Sequence, residues 1–189
     1  MTYRQFSAVA LALATVFTLN GNAQAAERVA LRGESAAVDV YFAPQDDISL
    51  YLVDFISKAQ RRVWLAGYTF TMPEIARAVA QAKARGLDVR VVLDSGQAGE
   101  KYSGATYLRN AGVPVWINSR HAIMHHKFVV CDDDRVGFGS ANFTKAAMAG
   151  RKGDPAKSNA ENFNLFVGVP GLAKQYADEF ERLAAESTR

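Results

Sequence analysis

The chain has 189 residues, 49% of them apolar and 22% charged, with 14 glycines, five prolines and a formal net charge of +3. That is the balance of an ordinary globular protein, with no repeats, no low-complexity tract and no long linker, and its charge is far from that of a general DNA-coating surface. One domain is expected, and a chain of this size buries roughly two thirds of its unfolded surface, so it needs neither a disulfide framework nor a structural metal. The single cysteine, Cys131, sits in the apolar run Phe128 to Cys131 and reads as a buried, inert thiol.

Residues 1–25 read as a cleavable secretory signal: Arg4, then the apolar stretch Phe6 to Leu19, then the small-residue Ala23-Gln24-Ala25. The apolar stretch is short for a bilayer core of about 30 Å, so an uncleaved anchor is the lesser alternative. Cleavage after Ala25 leaves residues 26–189 as one domain and lowers the net charge from +3 to +2. The expected location is periplasmic or secreted, with no integral membrane association after cleavage.

Further along, short β-rich runs alternate with helical segments. Val38 to Ala43 reads as a first strand, and Asp46 or Asp47 is placed to cap a helix carrying Ile48, Leu52, Phe55, Ile56 and Ala59 at three- and four-residue spacing. Arg62 to Phe70 is the second strand. Pro73 and Glu74 open a second helix that Gly86 stops, and Asp88 to Leu93 is the third strand. Tyr102 to Ala111 reads as a helix closed by Gly112, and Val113 to Ile117 as a short strand.

The second half differs. His125 to Cys131 and Arg135 to Gly139 lie too close for a crossover helix, so Asp133 and Asp134 are read as the turn of an antiparallel hairpin. Phe163 to Val169 is a last strand, and Gly171 to Glu186 a final helix with Leu172, Tyr176, Phe180 and Leu183 inward. The fold class is α/β: a mixed, mostly parallel sheet with helices on both faces, as strand–helix alternation favours.

All three histidines, His121, His125 and His126, fall within six residues. Residues two apart on a strand share a side, so His125 and Lys127 converge while His126 points away. An imidazole beside an ammonium suits an anionic substrate, phosphate above all. At the end of the next strand, Ser140 and Asn142 offer a hydroxyl and an amide to further phosphate oxygens, and Gly139 allows close backbone approach. A zinc site is disfavoured, because adjacent histidines on a strand diverge and no second ligand pair follows.

His125-x-Lys127-x4-Asp132-x6-Gly139-Ser140 resembles the H-x-K-x4-D-x6-G-S signature of the phospholipase D superfamily. Asn142-Phe143-Thr144, Tyr68-Thr69-Phe70 and Asn159-Ala160-Glu161-Asn162 make the chain most similar to that superfamily's small exported bacterial endonucleases. The resemblance implies a phospholipase D-like α/β/α sandwich and a metal-independent, cofactor-free double displacement at a phosphodiester. In it His125 is nucleophile or acid, Lys127 and Asn142 hold phosphate oxygens, Ser140 donates a supporting hydrogen bond, and Glu161 accepts from the far nitrogen of His125. Asp132 belongs to the signature, yet its place at the strand end favours a structural or ion-pairing role.

Attack and leaving-group protonation need two histidines on opposite sides of phosphorus, and the chain carries one H-x-K. The small members of the superfamily meet this by pairing two subunits, so a homodimer is the expected assembly. Nucleic acid, DNA and with it RNA, is the expected substrate. Lys145, Arg151, Lys152 and Lys157 cluster in the loop between Asn142 and Glu161, where cations can contact flanking phosphates or merely face solvent. The alternatives are a phospholipase D-type hydrolase acting on a lipid such as cardiolipin, which should show an exposed apolar patch beside the cleft, and a catalytically silent nucleic-acid-binding module. Tyr68 and Phe70 read as sheet residues, with one of them a candidate to line the cleft.

Overall fold

The computed structural model describes residues 36–97, 104–149 and 158–189. The expected signal at 1–25, the first residues of the helix expected from Tyr102, and Arg151, Lys152 and Lys157 of the cationic loop lie outside the described residues.

Seven strands form one sheet: β1 (Ala37–Ala43), β2 (Arg62–Gly67), β3 (Asp88–Asp94), β4 (Val115–Asn118), β5 (Lys127–Cys131), β6 (Arg135–Gly139) and β7 (Glu161–Val167). Their spatial order is β1-β7-β6-β5-β2-β3-β4. The helices are α1 (Ile48–Ser57), α2 (Pro73–Ala84), α3 (Gly104–Asn110), the short α4 (Lys145–Met148) and α5 (Pro170–Ala185).

Strand periodicity divides the core into two layers. Val63, Leu65, Val91, Leu93, Val129 and Cys131 face α1, α2 and α3, while Trp64, Ala66, Val92, Phe128 and Val130 face α5. Every residue of β5 is buried, as befits a central strand covered on both sides. Complete burial also pushes the Cys131 thiol up to about 12, so it is an inert core group.

The sheet is mixed and flanked by helices on both faces, as read from the sequence, but "mostly parallel" describes strand direction and not pairing. Parallel neighbours occur at β2–β3 and β3–β4, whereas β1–β7, β7–β6, β6–β5 and β5–β2 are antiparallel. The cause is the tight β5–β6 hairpin followed by β7, which returns along it. β1 lies at the far edge and not beside β2, because β7 takes it as an antiparallel partner.

Several boundaries also move. Neither Asp46 nor Asp47 caps α1 through its side chain. Asp46 Oδ2 instead accepts from the Phe42 N–H at 2.8 Å, and Asp47 Oδ1 accepts from Ser49 Oγ at 2.5 Å, local bonds that compete with capping. β2 ends at Gly67, with Phe70 making only an isolated bridge to Phe143. β4 runs from Val115 to Asn118, and β7 begins at Glu161 and ends at Val167. His125 and His126 precede β5 and are exposed. No helix among the described residues is long and apolar enough to cross a membrane.

Candidate active site

One end of the sheet gathers the chemistry. Lys127 opens β5 opposite Gly67 of β2, and Gly139 closes β6 opposite Phe163 of β7. The segments just beyond, Tyr68 to Thr71, Ser140 to Asn142 and Asn159 to Glu161, therefore meet at this edge. Phe143 ties them together: its carbonyl accepts from Thr71 and Met72, and its N–H donates to the Thr69 carbonyl.

Lys127 is only 7% exposed, and its Nζ donates to the His125 carbonyl at 2.7 Å. Burial pushes the ammonium below the ordinary lysine value, and the Glu161 carboxylate pulls the other way. The Tyr68 ring lies 4.8 Å from the His125 ring and 5.4 Å from Lys127 Nζ, so one aromatic face touches both groups. Tyr68 thus lines the site, whereas Phe70 is fully buried against Phe143.

Ser140 and Glu161 form a second pair. Ser140 Oγ donates to Glu161 Oε2 at 2.5 Å, Asn159 Nδ2 donates to Oε1 at 3.1 Å, and Ser140 Oγ accepts from the Asn162 N–H at 3.0 Å. A side chain at Gly139 would put its Cβ 2.1 Å from the Asn162 carbonyl oxygen, so this close approach requires glycine. The bond expected from His125 to Glu161 is not formed. The Glu161 carboxylate accepts from Ser140 and Asn159 instead, while the His125 ring packs on Tyr68. Asn142 lies between the buried Ala141 and Phe143, and its buried Oδ1 has no hydrogen-bond partner.

Asp132 stands apart from this group. It follows the other end of β5, about 17 Å from Lys127 by strand rise. Its carboxylate accepts from the N–H groups of Gln60 at 3.1 Å, Arg61 at 2.7 Å and Arg62 at 3.2 Å, and its carbonyl accepts from Arg62 Nε at 2.8 Å. Its φ of 59° makes it the αL residue of the hairpin turn. The structural role of Asp132 follows from these contacts, and it cannot touch a substrate held at Lys127. His126 Nε2 meets Glu179 at 3.1 Å and His121 Nε2 meets Glu186 at 2.6 Å, both on or beside α5, so these histidines diverge from His125.

Sequence reasoning passed over Asp94. It closes β3 and is 5% exposed, with Oδ2 accepting from the Met124 N–H at 2.8 Å and Oδ1 from Gly96 at 2.9 Å. It thereby fixes the residue immediately before His125. An aspartate ending the apolar Val91-Val92-Leu93 run was the signal available. Among the described residues, no three His, Cys, Asp or Glu side chains converge as metal ligands would.

A mixed α/β/α sandwich with histidine, lysine, serine and asparagine at one sheet edge defines a class, and the comparisons agree. The family described as "Cardiolipin synthase, PLD-like domain" matches residues 52–184, and the chain belongs to this phospholipase D-like family of hydrolytic phosphodiesterases. It is 37% identical over 135 residues to a mitochondrial cardiolipin hydrolase of Xenopus tropicalis, covering 71% of this chain and 60% of that one. It is 32% identical over 139 residues to a phospholipase D of Rickettsia conorii, covering 74% and 65%. The chain therefore spans about three fifths of the length of these curated relatives. Among solved structures, a phospholipase D family member, Nuc from Salmonella typhimurium, superposes with a TM-score of 0.72 at 29% identity, over 80% of this chain and 96% of that one. NucT from Helicobacter pylori shares the fold with a TM-score of 0.70 at 22% identity, over 81% and 98%.

Proposed function

We propose that this chain is an exported, metal-independent phosphodiesterase, and specifically an endonuclease cleaving DNA and RNA at an active site shared by two subunits. The observation that supports this reading is the likeness to Nuc, which superposes on 80% of this chain with a TM-score of 0.72 at 29% identity.

In the proposed reaction a ring nitrogen of His125 attacks phosphorus, a P–N bond forms and the bond to one ester oxygen breaks. A second imidazole, His125 of the partner subunit, donates a proton to the departing oxygen. Water then attacks phosphorus, gives a proton back to that imidazole, and the P–N bond breaks. Lys127, held beside His125 by its bond to the backbone, supplies positive charge to the phosphoryl oxygens, and Asn142 donates to them through its Nδ2. Ser140 is bonded to Glu161, so its contribution is to fix that carboxylate near Lys127.

The test is incubation of the purified protein with plasmid DNA, RNA and cardiolipin vesicles in EDTA. Nucleic-acid cleavage by the wild type and its loss in His125→Ala support the proposal, and abolition by EDTA removes the metal-free claim. Sedimentation tests the pairing, since a fully active monomer is incompatible with a shared site.

A second reading, phospholipid hydrolysis, is favoured by a specific observation. Val38, Val40 and Phe42 project from one face of β1 at 46%, 48% and 55% exposure, and Phe42 reaches the active edge. That is the exposed apolar row a lipid-acting enzyme would show. The vesicle arm of the same experiment decides between them.

A further inference from the structure

We propose that the groove between the end of β1 and the Asn159–Asn162 segment seats an unpaired nucleobase next to the scissile phosphate, with Phe42 as its stacking platform. This deepens the endonuclease reading and rests on it. The groove has a volume of 390 Å³ and is lined by Phe42, Gln45, Ser140, Glu161 and Asn162 among others.

Continuity with the active edge comes from the sheet register. Phe42 pairs directly across from Asn162, so the two side chains lie on one face. Asn162 Oδ1 accepts from the Ser140 N–H at 2.9 Å, and Ser140 Oγ holds Glu161. Hydrogen bonds thus link the strand partner of Phe42, through Ser140, to the Glu161 carboxylate that acts on Lys127, three strands from β1.

The lining selects the chemistry of the occupant. Phe42 is 55% exposed and offers a planar apolar face, which every base can stack upon. Gln45 and Asn162 carry amides that both donate and accept, suited to a base edge without demanding one base. Among the described residues no lysine or arginine lines the groove, and Glu161 brings a carboxylate, which disfavours a flanking phosphate. An acyl chain would meet amides and a carboxylate inside the groove, because Val38 and Val40 lie farther along β1 and outside it. Bases in a duplex are already stacked and paired, so the groove favours single strands.

The experiment compares a single-stranded oligonucleotide with the same strand made abasic on both sides of one cleavage position, for the full chain and for Phe42→Ala and Phe42→Trp. The wild type should cleave the base-bearing strand with a kcat/KM about tenfold higher, within the stacking range of about 1–3 kcal/mol per base. In Phe42→Ala the ratio should fall to near one through a rise in KM on the base-bearing strand, and Phe42→Trp should keep it. A wild-type ratio of one, or a ratio kept in Phe42→Ala, overturns the platform while leaving the endonuclease reading standing. Cleavage of neither strand, with hydrolysis of cardiolipin vesicles instead, overturns the endonuclease reading itself.

Discussion

The Lys127 ammonium donates to the carbonyl oxygen of His125 at 2.7 Å, so the cation is anchored to the backbone of the residue beside which it must work. With Lys127 only 7% exposed, the charge cannot swing away, and its geometry is set before substrate arrives. Lys127→Ala should therefore lower kcat by about 10²–10³, the range for losing one charge-stabilising donor. Lys127→Arg should not restore it, since a planar fork does not replace a buried point charge. Steady-state kinetics on one phosphodiester substrate measures both.

The alkaline side of the pH profile carries a sign. Burial pushes the Lys127 ammonium below the ordinary lysine value, so the charged form is lost earlier as pH rises. Activity should fall on an alkaline limb below the ordinary lysine titration. Glu161 opposes the shift, so Glu161→Gln should move that limb to still lower pH. A kcat/KM profile of the two proteins is the measurement, and an unmoved limb contradicts it.

Tyr68 acts through its ring, which touches both His125 and Lys127. Tyr68→Phe should retain most activity, whereas Tyr68→Ala should lose about tenfold or more in kcat, as the imidazole and ammonium lose the face that holds them. Equal losses in both variants would assign the effect to the hydroxyl.

Asp132→Ala should act on stability. Its carboxylate gathers three part-buried backbone N–H groups where β2 begins, and losing their shared acceptor costs about 1–3 kcal/mol. Urea denaturation should show that loss. The kcat per folded molecule should stay near wild type, because the residue lies at the far end of β5.

Much of this was legible before any coordinates. The β5–β6 hairpin could be read because three residues, Asp132 to Asp134, leave no room for a crossover, and α2 because Pro73 and Gly86 punctuate it. The position of β1 could not be read, since its antiparallel partner β7 lies more than a hundred residues away and edge pairing is decided by tertiary packing. At the site, motif spacing brought His125, Lys127, Ser140 and Glu161 to one sheet edge. It could not reveal the partners of Glu161, which accepts from Ser140 and Asn159, because side-chain pairing is decided by the folded geometry. Asp94 escaped notice because its function is contact with the Met124 backbone, which leaves no side-chain pattern in the sequence.

The most direct test of the covalent mechanism is acid-free quenching of the protein during turnover of a phosphodiester labelled at phosphorus, followed by analysis of protein-bound label. The account predicts an acid-labile, base-stable phosphoramidate in the wild type, formed with EDTA present and absent from His125→Ala. Full turnover with no protein-bound phosphate at any time point, or label retained in His125→Ala, would contradict it.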